Sequence, residues 1–168
     1  MSKYKVTATK TTTGMQVSVG TRGFEITFDE PESTNTGMNP VEILLASFGA
    51  CQAITAQALA KKRNFDLRAF WVTIEGELGR EDVADGKNVS KFTEIRYQPH
   101  LRSSESDEDI KKFLADVAAK CPVENTLIYG TKFVQDGFVK VDYLKKWLRR
   151  KNSSQPFTFA VCKIKLEK

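Results

Sequence analysis

The run Met38-NPVEILLASFGACQAITAQALAKK-Arg63 decides how this chain folds. Asn39 has the side chain of a helix N-cap, Pro40 suits the first helical position, and Glu42 stands three residues after the cap, where it completes a capping box. A helix is predicted from Pro40 to about Arg63. Between Ile43 and Ala60 it carries no charge. That length approaches a membrane span, but Ser47, Gln52, Thr55 and Gln57 interrupt it, so a buried core helix is the better reading. The helix is apolar nearly all round and must be covered on most sides. One small sheet covers only one side. A second sheet, or a second subunit, is therefore expected on the other.

Upstream, the sequence reads as strands. Lys3–Lys10 alternates, Met15–Gly20 follows the turn signal Thr13-Gly14, and Gly23–Asp29 places Phe24, Ile26 and Phe28 on one face. This spacing predicts a meander packed on one side, joined to the helix by a Pro/Ser/Thr/Asn/Gly loop over 30–38. Downstream, Leu67–Leu78 and Val89–Leu101 read as long strands around an Ala84–Asn88 turn. A second helix opens at Ser106, with Asp109 at its capping-box position and Ile110, Phe113, Leu114 and Val117 on one stripe. Lys120-Cys121-Pro122 breaks it, and a short helix through Leu127 follows with Cys121 as N-cap. Beyond Gly130 the pattern predicts a strand over Phe138–Val141, a basic helix over Asp142–Arg150 and a strand over Phe157–Leu166.

The 168 residues, 40% hydrophobic and 28% charged, suit a soluble chain with one principal domain over 1–135 and a basic extension over 136–168. The net charge of +5 is concentrated in that extension: residues 140–168 carry +7, which leaves −2 on 1–139. Lys145-Lys146-Trp147-Leu148-Arg149-Arg150-Lys151 could meet nucleic acid or anionic lipid, but a solvated basic helix is the more common explanation. No nucleic-acid or membrane partner is expected. The N-terminal residues lack an apolar h-region. Three cysteines spread over the chain do not make a disulfide framework. Both features suit a reducing compartment, the cytoplasm.

Cys51 and Cys121 carry the chemical interest. At a helix N-terminus, the Cys121 thiol faces free N–H groups and the positive end of the helix dipole. That setting predicts a lowered pKa, in the range ~3.5–7.5; a small residue in a helix–Pro–helix corner is the plainer alternative. Cys51 lies mid-helix and could be core, yet Ser47 and Thr55 share its face and Gln52 adjoins it. Arg22, at a strand start, is the candidate to hold a thiolate or polarise an oxygen, or else an exposed turn residue. Glu42 could orient an arginine, but nine residues at about 100° each put it about 180° from Cys51, which favours capping. His100 is the single histidine. It supports neither a catalytic triad nor a zinc site, and no phosphate-binding glycine motif is present.

Taken together, Met38-NPVEILLASFGA-Cys51, Lys120-CPVENT-Leu127 and Asp29-Glu30-Pro31 resemble the OsmC/Ohr family, the osmotically inducible protein C and organic hydroperoxide resistance proteins. The likeness spans roughly residues 3–135. It implies an α+β fold in which two subunits intertwine as a homodimer, antiparallel sheets wrapping a long buried central helix. It further implies a cofactor-free thiol peroxidase, with Cys51 peroxidatic and Cys121 resolving, supplied with electrons by a dithiol or lipoyl-type reductant. Arg22 would match the family's arginine. The hydroperoxide-resistance branch places its glutamate directly after Asn-Pro; here that position is Val41 and the acid is Glu42, as in the OsmC-like branch. A redox sensor or small-ligand-binding protein on the same fold is the alternative.

Overall fold

The computed structural model describes residues 2–140. The chain opens with a three-stranded antiparallel meander, β1 (Thr7–Lys10), β2 (Val17–Thr21) and β3 (Phe24–Phe28), paired in sequence order. Its second turn holds two residues, Arg22 and Gly23, with φ of 52° and 88°. A two-residue hairpin loop twisted to match its strands needs positive φ at both positions. Glycine adopts this freely, whereas arginine does so at some cost.

After β3 the chain is pinned by Asp29. This buried carboxylate accepts hydrogen bonds from the Thr34 and Thr36 hydroxyls and from the Glu30 and Thr36 N–H groups. The Thr34 bond leads in holding its pKa down at about 2, against the opposing effect of burial. The loop thus delivers the chain to α1 (Pro40–Arg63) at a fixed place. The predicted capping box is formed: Asn39 Oδ1 accepts from the Glu42 N–H, and Glu42 Oε2 from the Asn39 N–H, both at 2.8 Å. The helix ends at Asn64, whose left-handed backbone donates its N–H to the Ala60 carbonyl.

Strands β4 (Ala69–Asp82) and β5 (Asn88–Arg102) form a long antiparallel hairpin with a register shift at Glu77/Leu78. Its inner face packs on α1. Gly49 approaches Ile74, and Gly76 lies under Phe92 and Leu45; a Cβ at Gly76 would come within 2.6 Å of the Phe92 ring. Helix α2 (Asp107–Lys120) lies against the C-terminal half of α1, where Ala56, Leu59, Ala60, Phe113 and Val117 make the core. Phe65 stacks on Phe113 at 4.1 Å. Helix α3 (Pro122–Tyr129) follows after a sharp corner at Cys121.

Two expectations change. The meander was expected to be packed on one side, but Phe24 is 69% exposed and Ile26 is also exposed, because no element among the described residues lies over them. The strand expected at Phe138 does not form over 138–140. The expected elements at 142–150 and 157–166, and Cys162, lie outside the described residues. The chain divides at Thr131/Lys132 into two units, the first holding every helix and strand described.

The helix reading is met on one side only. Hairpin, α2 and α3 cover one face of α1, whereas Leu44, Ser47, Ala50, Ile54 and Ala58 form an exposed stripe at helical spacing along the other. Ile54 is 72% exposed. Among the described residues, no second sheet covers this face.

Candidate active site

The site forms where α1, β5 and the α2–α3 corner meet. Cys121 is fully buried; it closes α2 and caps α3, and its Sγ accepts the Glu124 N–H at 3.5 Å. Cys51, half-buried on α1, neighbours Cys121 closely enough to act on its thiol, and both thiols are free. Seventy residues of sequence separate them, and packing of α3 on α1 closes the gap.

The cap position does not make Cys121 acidic. Burial, followed by the neighbouring Cys51, pushes its thiol up to about 11, overriding the Glu124 and Val123 N–H groups that act to lower it. This corrects the lowered pKa expected from the helix N-terminus. Two amide donors do not compensate a thiolate for complete loss of solvent.

Beneath the thiols lies a polar cluster that the sequence reading missed. Glu124 is buried, 7% exposed. Its Oε2 accepts a hydrogen bond from Gln52 Nε2, and its Oε1 accepts one from the Tyr97 hydroxyl at 2.9 Å. Burial, and then the Glu124 carboxylate, raise the Tyr97 pKa to about 12, so its hydroxyl remains a donor. The Tyr97 ring meets Phe48 edge-on at 5.0 Å. An acid inside the apolar turn Pro122-Val-Glu-Asn-Thr-Leu127 was the available signal. The other polar residues near Cys51 do less: the Ser47 hydroxyl turns back to the Leu44 carbonyl at 2.7 Å.

Arg22 and Glu42 are not gathered to the thiols by their own chain. The Arg22 guanidinium rests over the Phe24 ring, 5.7 Å from its centroid. Glu42 is engaged in the helix cap, and its side chain also borders a shallow groove with Ala46, Gly49, Ala50, Val72 and Ile74. His100 stacks on Trp71 at 5.0 Å, with its Nε2 3.2 Å from Thr73 Oγ1. Among the described residues, no group of His, Cys, Asp or Glu is placed to hold a metal ion.

These elements are those of a known family. The chain matches OsmC-like protein over residues 33–135 and belongs to the OsmC family. It is 31% identical over 130 residues to a hydroperoxide reductase of Mycoplasma genitalium, covering 77% of this chain and 89% of the relative. An OsmC-like protein of Mycoplasma pneumoniae superposes with a TM-score of 0.68 at 27% identity, covering 76% of this chain and 88% of that one. The fold extends to an organic hydroperoxide resistance protein of Legionella pneumophila, with a TM-score of 0.57 at 17% identity over 76% and 90% of the two chains.

Proposed function

We propose that this protein is a homodimeric thiol peroxidase of the cytoplasm that reduces organic or small hydroperoxides. The observation that carries the reading is that packing of α3 on α1 makes neighbours of Cys51 and Cys121, which lie seventy residues apart in sequence. Cys51 borders the exposed stripe of α1, whereas Cys121 is sealed inside. The accessible sulfur is the one suited to meet substrate, and the enclosed one to resolve it. The relatives named hydroperoxide reductase support the substrate class.

In the first step the Cys51 thiolate attacks the O–O bond. One oxygen passes to sulfur as a sulfenic acid, and the other leaves as alkoxide, which takes up a proton to become the alcohol. In the second, Cys121 Sγ displaces that hydroxyl, giving the Cys51–Cys121 disulfide and water. A dithiol or lipoyl-type reductant then reopens the disulfide by exchange and is itself oxidised to a disulfide.

The dimer enters this reading through the uncovered surfaces. Stripe 44–58 of α1 and the Phe24/Ile26 face of the meander are largely apolar and uncovered among the described residues, and a second copy would cover both. Arg22 then serves the partner's Cys51 rather than its own.

Steady-state consumption of cumene hydroperoxide with dihydrolipoamide tests the proposal. The native chain should turn over, Cys51→Ser should lose all measurable activity, and Cys121→Ser should hold Cys51 as a sulfenic acid that dimedone labels. Full activity in Cys51→Ser would falsify the mechanism. Oxidation that occurs once and cannot cycle would make the protein a redox sensor.

A further inference from the structure

Glu124 is a buried carboxylate that the chemistry above does not use. Among the described residues, no lysine, arginine or histidine forms an ion pair with it. Its two oxygens are divided between two neutral donors, Gln52 and Tyr97. Burying a carboxylate without a counter-charge is costly even when both oxygens are bonded. An apolar contact would join these elements at less cost, so the placement of the acid calls for a reason.

Each residue of the cluster is linked to one of the two thiols, in sequence or in space. Gln52 follows Cys51 on α1. Glu124 gives its own N–H to Cys121 Sγ. Tyr97 fastens β5 to the same carboxylate, and the Cys121 sulfur contributes to its raised pKa. The titratable groups that the structure brings to this point are Cys51 from α1, Tyr97 from β5, and Cys121 and Glu124 from the α2–α3 corner.

We propose that Glu124 is a positioning residue for disulfide closure, clamping α1 and β5 to the first turn of α3 so that Cys121 Sγ faces the oxidised Cys51. The inference rests on the peroxidase reading for its physiological step. In that step the S–S bond forms as the Cys51 S–O bond breaks; the Cys51 sulfur is reduced, the Cys121 sulfur is oxidised, and the Cys121 proton leaves with the hydroxyl as water. A disulfide tolerates only a narrow range of Cα separations and torsions. A loosened α3 therefore slows closure while leaving the approach of hydroperoxide to Cys51 unchanged.

The test separates the two steps in the full-length chain. After one equivalent of cumene hydroperoxide, dimedone labelling reports Cys51 oxidation, and peptide mapping of quenched samples reports the Cys51–Cys121 bond. Glu124→Gln should oxidise at the native rate and close roughly tenfold to a hundredfold more slowly. The exchange Gln52→Glu with Glu124→Gln keeps one carboxylate and one amide face to face, and should restore closure to about the native rate. Tyr97→Phe removes one donor and keeps the ring against Phe48; it should slow closure about threefold to tenfold.

Closure at the native rate in Glu124→Gln overturns the proposal, as does equal slowing of both steps or failure of the exchange to rescue. If Glu124→Gln does not fold by circular dichroism, Tyr97→Phe decides, and native closure there overturns it. Diamide, which joins two thiols without a peroxide, gives an independent measure of closure. A native chain that closes with diamide but ignores hydroperoxide counts against the peroxidase reading, while the variants' diamide rates still judge the clamp.

Discussion

The two sides of the thiol pair are built differently. Cys121 sits in a finished interior: it is fully buried, its Sγ is met by a backbone N–H, and Glu124, Gln52 and Tyr97 satisfy one another beneath it. Cys51 borders an unfinished surface, where Ile54 is 72% exposed and the Arg22 side chain rests on an exposed phenylalanine. On the proposed mechanism, one chain assembles the resolving half of the chemistry, and the peroxidatic half is completed by a second copy. The division is economical in physical terms. Enclosure shields a resolving thiol from outside oxidants at the cost of a smaller thiolate fraction, whereas a nucleophile that must meet peroxide has to border a surface that substrate can enter.

The largest effect should come from breaking the unfinished side. Ile54→Lys leaves the core of one chain untouched because the residue is exposed, but it places a charge on the surface assigned to the second copy. A dimer should become a monomer by analytical ultracentrifugation, with turnover reduced about a hundredfold or more. An unchanged assembly and rate would mean that the stripe has no partner.

The finished side should respond to pH. Because burial raises the Cys121 pKa to about 11, its attacking thiolate grows about tenfold per pH unit from pH 7 to 9, and disulfide closure should accelerate with it. The same shift has a signed effect on stability. The folded state favours the neutral thiol, so this contribution is complete below the unfolded thiol's value of 9.0 and is lost as pH rises toward 11. A pH-independent closure rate, measured by rapid quench, would show that something other than Cys121 ionisation limits the step.

The smallest effect sharpens the place of Glu42. Asn39→Ala should cost about 1 kcal/mol in urea unfolding by removing the cap. Glu42→Gln keeps an oxygen for the Asn39 N–H, and should leave both stability and turnover within about twofold of native. A collapse of turnover in Glu42→Gln, with stability intact, would return this acid to the chemistry across the dimer.

Much of this was legible in the residues. Asn39-Pro40 with Glu42 started α1 where it starts, because capping is a contact between near neighbours and needs no tertiary context. Ser106 and Cys121-Pro122 set the starts of α2 and α3 for the same reason. The two cysteine motifs carried the likeness to the family to which the chain belongs. Glu124 and Tyr97 were not legible as a site, because the partners of the acid lie 72 and 27 residues from it along the chain, and its place in the Pro122–Leu127 turn does not reveal them.

What the sequence by itself determined was the helices and long strands up to Tyr129, their caps and the family to which the paired motifs belong, all consequences of short-range geometry and motif spacing. What only the tertiary structure decided was the character of each thiol. The helix dipole and two N–H groups argued for an acidic Cys121, but complete burial against α1 left it without solvent and reversed the sign. Desolvation depends on everything packed around a group, and no stretch of adjacent residues contains that information.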